Sequence, residues 1–158
     1  MVVTTAGGAS DPLNVNVNAT QPGLLAPPPF DIKGTQYIVA LFPNQFYVLP
    51  PGTISGVASK RTVPGDTILL YGVGFGGLSD GTPAGVIDSA QNNINASFTI
   101  SIGGAAADIA YSGLTPGFVG LYQINVVVPN IAPNDQAPLT FSVNGTPGTQ
   151  TLYLAIGS

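Results

Sequence analysis

Apolar and polar residues alternate one by one over much of this chain. Leu13, Val15 and Val17 alternate with Asn14, Asn16 and Asn18, and Phe98, Ile100 and Ile102 with Ser97, Thr99 and Ser101. Tyr122, Ile124, Val126 and Val128 share one face, with Gln123 and Asn125 on the other. Leu139, Phe141 and Val143 alternate with Thr140 and Ser142, and Leu152, Leu154 and Ile156 with Thr151, Tyr153 and Ala155. Successive side chains of an extended strand point to opposite faces. A period of two therefore predicts strands with one apolar face for a partner sheet and one polar face for water. Thr67–Tyr71 and Ile109–Tyr111 read as further short strands. Gly103-Gly104 and Asn144-Gly145 are turn dipeptides that accept positive φ, and Pro64-Gly65-Asp66, Pro116-Gly117 and Pro133-Asn134-Asp135 supply more turns. No window holds a 3.6-residue period, and Ile87–Ile94 is too short and polar for more than one helical turn. The pattern predicts an all-β chain built as an antiparallel β-sandwich.

The same pattern divides the chain. Residues 21–34, with Gln21-Pro22-Gly23 and Pro27-Pro28-Pro29, read as a Pro-rich linker, because prolines favour extended geometry and cannot donate to a sheet. Residues 35–158 read as the sandwich domain, opening on a hairpin with Tyr37–Leu41 and Phe46–Leu49 around Pro43-Asn44. Residues 1–20 stand apart. Thr5-Ala6-Gly7-Gly8-Ala9-Ser10-Asp11-Pro12-Leu13-Asn14-Val15 repeats the turn-then-strand plan of Val143-Asn144-Gly145 through Leu154. That echo gives residues 1–20 two readings: the terminal hairpin of a preceding β module or donated strand, or a chance likeness between two Gly-rich hairpins.

Three stretches resemble the IPT/TIG group of immunoglobulin-like domains. Pro64–Gly76 is similar to the family's opening strand and its Gly-x-Gly-Phe-Gly turn. Phe98–Ile109 is similar to its central hairpin, and Ile124–Pro129 with Leu139–Gly145 and Gln150–Ile156 to its closing strands. Gly113-Leu114-Thr115-Pro116-Gly117-Phe118-Val119-Gly120-Leu121-Tyr122 further resembles a motif of an uncharacterised C-terminal domain family of large secreted bacterial proteins, notably acidobacterial ones. The resemblance implies an immunoglobulin-like sandwich in an extracellular or cell-surface, multi-module protein, and it carries over no catalytic residue.

Composition narrows the function classes. The chain has no His, Cys, Glu or Trp, three Lys or Arg and seven Asp. The absent residues are those that most often serve as general acids and bases, nucleophiles and metal ligands. A net charge of −4 argues against nucleic acid, whose phosphates need basic clusters. No apolar run reaches the roughly 20 residues of a membrane helix. Met1–Thr5 lacks the basic start and apolar stretch of a signal peptide. With 44% hydrophobic residues the chain can form a packed core rather than remain disordered.

Candidate chemistry is sparse. Gly72-Val73-Gly74-Phe75-Gly76-Gly77 has the look of a phosphate loop, but a turn rather than a helix follows it, which favours a bulge or a tight crossing. Asp80 and Asp88, with Ser79, Asn92 and Asn93, form the best oxygen cluster, and calcium is the cation it would suit, although capping of turns explains the same residues. No other cofactor is expected. Lys33 or Lys60 could form an isopeptide bond with an Asn, as in some surface-adhesin domains, but the usual Glu is absent. Asn18-Ala19-Thr20, Asn95-Ala96-Ser97 and Asn144-Gly145-Thr146 fit the N-glycosylation pattern. Tyr37, Phe42, Phe46 and Tyr47 form either a contact surface or a cover for one end of the sandwich. The expectation is a non-catalytic structural or adhesive module. It would contact neighbouring modules or surface proteins and could self-associate through edge strands. A carbohydrate- or ligand-binding module, or an accessory domain of a larger secreted enzyme, is the alternative.

Overall fold

The computed structural model describes residues 1–158. The chain opens with a small hairpin, β1 (Thr4–Thr5) and β2 (Gly8–Ala9). Then come β3 (Gly23–Leu24), one helical turn at Pro28–Phe30, and the two-residue strands β4 (Asp31–Ile32), β5 (Thr35–Gln36), β6 (Ala40–Leu41), β7 (Tyr47–Val48) and β8 (Ser59–Lys60). The longer strands follow: β9 (Thr67–Val73), β10 (Phe98–Ile102), β12 (Asp108–Leu114), β13 (Tyr122–Val127), β14 (Asn134–Val143) and β16 (Leu152–Ile156). Two short ones, β11 (Ala105–Ala106) and β15 (Thr146–Pro147), sit among them. The protein is all-β.

Two sheets carry the fold. In the first the order is β12-β13-β9-β6-β7-β8, with β3 sharing the edge of β9 with β6. In the second, β10 and β16 flank β14, with β11 and β15 as hairpin extensions. All these pairings are antiparallel except β7 with β8. The alternation of the sequence becomes the alternation of burial. Ile68 and Leu70 of β9 and Ile124 and Val126 of β13 meet Ile100 and Ile102 of β10, Leu139 and Phe141 of β14, and Leu152, Leu154 and Ile156 of β16 in one core. At about 25 cal/mol per Å² of apolar surface, this shared core is the main stabilising term. Phe75 is fully buried near its end, packed against the rings of Phe98, Tyr122 and Phe141.

The Pro-rich segment differs from its expected role as a linker. Leu24 is buried in the core, β3 pairs with the end of β9, and β4 pairs with β5. Prolines confine a strand to an edge without barring it. Pro22 and Pro27 leave room for a two-residue strand between them, and Gln150 holds that strand from the side. Its amide accepts from Leu24 N–H at 2.7 Å and donates to Leu24 O at 2.9 Å. Residues 23–24 therefore pack against the sandwich and add to the edge of its first sheet.

Candidate interaction surfaces

The glycine run at 72–76 is a tight crossing. A Cβ on Gly72 would lie 2.6 Å from Gly23 O and 2.8 Å from the Phe75 ring. Gly74 (φ 79°) and Gly76 (φ 90°) take left-handed geometry, and side chains there would run into Gln21 and Thr20. Gln21 N–H donates to Gly74 O at 2.9 Å, and the Tyr122 hydroxyl donates to Gly76 O. These glycines seat residues 19–24 against the end of β9, and no phosphate-binding helix follows.

Beside the crossing is an open cleft of about 460 Å³. Asn18, Ala19 and Gln21 line one wall, and Thr82 to Val86, Gly120 and Tyr122 the other. Its lining has no charged side chain. Next to it four apolar side chains face solvent: Val86, Ile87, Phe118 and Val119, each about half exposed. Gly117 N–H reaches Asp88 O at 3.5 Å, joining the two loops that carry them.

Asp80 and Asp88 lie in the first of those loops, and both serve its turns. Asp80 accepts from Thr82 N–H at 3.0 Å. Asp88 accepts from Ala90 N–H (2.8 Å), the Asn92 amide (3.1 Å) and the Thr82 hydroxyl (3.2 Å). The Ala90 N–H, followed by the Asn92 amide, holds the Asp88 carboxyl below the usual carboxylate range. Both Asp88 oxygens and one of Asp80 serve as turn acceptors, and no three acidic, His or Cys side chains gather at one place. Asn92, which the sequence offered only as a member of the oxygen cluster, organises the loop. It is buried, and its carbonyl accepts from Leu114 N–H at 2.7 Å, tying this loop to the end of β12.

The four aromatics split into two pairs. Tyr37 and Phe42 are buried, so neither offers a contact surface, while Phe46 is exposed and Tyr47 half-buried. Tyr37 packs with Leu49 and Ala155 in a second small core, and its hydroxyl donates to Asp135 O at 2.8 Å. Burial, then the nearby Asp135, pushes the Tyr37 phenol up. Phe42 carries the Lys60 ammonium 4.0 Å from its ring centre, and Tyr47 packs against Phe30. Lys33 is exposed on the β4–β5 turn. Beside Tyr37, Arg61 forms a bidentate pair with Asp135 (2.5 and 2.8 Å), which holds the Asp135 carboxyl below its usual range.

The largest unpartnered feature is the N-terminal hairpin. Residues 1–19 are all exposed, including Met1, Val2, Val3, Leu13, Val15 and Val17. Alternation predicts a strand over Leu13, Val15 and Val17, but residues 10–18 form no strand, and the rest of the chain does not cover these side chains. Consecutive apolar residues in Gly-flanked loops, Val86-Ile87 and Phe118-Val119, were the sequence signal for the second exposed patch. No helix is long and apolar enough to cross a membrane. No protein-family model, curated protein or solved structure matches the chain.

Proposed function

We propose that this chain is a non-catalytic immunoglobulin-like module of an extracellular multi-module protein, where it spaces its neighbours and makes protein contacts. Strand order is the observation that carries this reading. Lettering β6 as A, β9 as B, β10 as C, β12 as D, β13 as E, β14 as F and β16 as G makes one sheet A-B-E-D and the other C-F-G. A constant-type immunoglobulin sandwich would have this order, and the agreement supports the reading.

The edge of β16 that faces away from β14 adds support for a spacer. Ile38 N–H donates to Tyr153 O (3.2 Å), Thr62 N–H to Ala155 O (3.0 Å) and Gly157 N–H to Thr62 O (2.7 Å), and both bridges run parallel to β16. Tension between the two ends of the chain loads these bonds side by side, in shear. The composition agrees, since a chain without His, Cys or Glu lacks three of the residue types that most often transfer protons or act as nucleophiles.

Photo-crosslinking from Phe46 and Phe118 in the intact native polypeptide tests the reading, with adducts to adjoining modules or a surface protein as the expected result. Glycan-array binding that disappears in Tyr47→Ala, without protein adducts, would replace it with carbohydrate binding. Turnover of a substrate by the purified chain would overturn it.

A further inference from the structure

The exposed hairpin at the start of the chain is a twin of the buried hairpin at its end. Thr5 pairs with Gly8 and Thr4 with Ala9 across Ala6-Gly7, as Val143 pairs with Thr146 and Ser142 with Pro147 across Asn144-Gly145. Ser10 N–H donates to Val3 O at 2.9 Å, as Gly148 N–H donates to Phe141 O at 2.8 Å. Leu13 N–H then reaches Met1 O, much as Leu152 faces Leu139, with two residues between Ser10 and Leu13 where the C-terminal hairpin has three between Gly148 and Leu152. Residues 14–17 have no strand partner within the chain, and counting on from Leu13 by alternation would set Val15 at the position of Leu154 and Val17 at that of Ile156. In the C-terminal hairpin these positions are at most 5% exposed, whereas Met1, Val3, Leu13, Val15 and Val17 are 49–89% exposed.

We infer that residues 1–17 are the closing hairpin, strands F and G, of a second sandwich, and that its remaining strands precede this module in the same polypeptide. The inference rests on the immunoglobulin-like reading of strand order given above. Two observations select a preceding module rather than a second copy of this chain. In another copy the equivalent groove is already filled by residues 139–156, tethered in place and with larger side chains at Phe141, Leu154 and Ile156. In addition, residues 18–22 lead straight from the hairpin into β3, past the cleft beside Val86, Ile87, Phe118 and Val119. That solvent-facing apolar patch lies at the end of the sandwich where a preceding module would rest. Exposed apolar clusters of this kind mark contact surfaces. The occupant is therefore a sandwich of aliphatic interior lacking its own last two strands. It would cover the hairpin with its core and the patch with its end.

The coding sequence upstream of Met1 provides the first test. The inference expects roughly 100 in-frame residues containing alternating strands equivalent to A through E. An in-frame stop immediately upstream, or a segment without such strands, overturns it and leaves the strand order of residues 21–158 standing. The second test is hydrogen exchange on the extended polypeptide. Amides of residues 13–17 should exchange about 100-fold or more slowly than in the 158-residue chain. Val15→Asp with Val17→Asp should abolish that protection and the preceding module's melting transition, leaving the transition of residues 21–158 in place. Equal exchange in both polypeptides overturns the inference. A strand order other than A-B-E-D and C-F-G for residues 21–158 would instead remove the reading on which it rests.

Discussion

The two hairpins share one hydrogen-bond register around their turns and differ in almost everything that gives a register stability. Residues 1–17 and 139–156 fold around equivalent two-residue turns, yet one lies in water and the other lines the core. Local sequence is thus enough to specify pairing, since small turn residues and alternation set which residue faces which. Energy comes from elsewhere. A two-stranded hairpin alone is marginal in water, and only the C-terminal one has strands on both sides and a sheet across from it. Their side chains also show a matched exchange of volume. Gly148 lies under the Phe141 ring, where a Cβ would come within 2.5 Å of Cε1, whereas the equivalent pair in the first hairpin is Ser10 beside Val3.

Truncating one side chain in each hairpin gives the largest contrast. Leu154→Ala should cost about 2–5 kcal/mol, through lost burial and the cavity left behind. Val15→Ala should change the stability of the 158-residue chain by less than about 0.5 kcal/mol. Urea unfolding followed by tyrosine fluorescence measures both. Comparable losses would mean that the first hairpin is packed against the sandwich in solution, erasing the comparison.

Gly148→Ala comes next. Its new methyl group meets an aromatic ring that is itself wedged among Phe75 and Phe98, and overpacking of this kind costs about 1–3 kcal/mol. The matched variant, Ser10→Ala, removes only exposed contacts and should leave the unfolding midpoint unchanged. Adding Phe141→Leu to Gly148→Ala should recover part of the loss, because it supplies the space that Val3 leaves beside Ser10. An undiminished loss in the double variant would locate the strain in the backbone rather than in the ring.

Gln150→Ala removes the clamp that fastens β3 to the closing hairpin. The first hairpin has no counterpart, with Asp11-Pro12 at the corresponding turn. Two neutral hydrogen bonds at about 0.5–1.5 kcal/mol each imply a loss of about 1–3 kcal/mol. Hydrogen exchange should quicken at Leu24 and Leu25 before it does in β13. Unchanged protection at Leu24 would show that Pro22 and the glycine crossing hold β3 unaided.

These contrasts separate what the sequence disclosed from what it hid. The long strands were readable because Tyr122 to Val128 and Leu139 to Val143 alternate strictly and each faces a core. The edge strand at Gly23-Leu24 was hidden, because its partner is chosen by a side chain 126 residues away. Asn92 was equally hidden, since a polar residue gives no periodic signal that its amide is buried against Leu114. Tyr37 and Phe42 sat in a stretch too short for alternation to tell inside from outside. Leu13, Val15 and Val17 alternate as a strand would, yet residues 10–18 form none in this chain, because no neighbouring strand or sheet lies beside them. That difference between form and context is the same one the two hairpins display.

The smallest expected effect is one of pH, and it acts only on the C-terminal side. The Arg61–Asp135 pair ties the start of β14 to the strand segment beside β16, and hydrogen bonding by Arg61 lowers the folded-state pKa of Asp135 below its unfolded value. A carboxyl depressed in this way contributes stability that is present above the unfolded value, about 3.9, and is lost as pH falls through the folded one. Both side chains are more than 40% exposed, so solvent and salt screen the pair and the contribution is small. Asp135→Asn should therefore lower the urea midpoint slightly at pH 7 and leave it nearly unchanged at pH 2.5, with the gap shrinking as salt is added. An equal deficit at both pH values would assign the role of Asp135 to its backbone carbonyl, which accepts from Tyr37, and not to its charge.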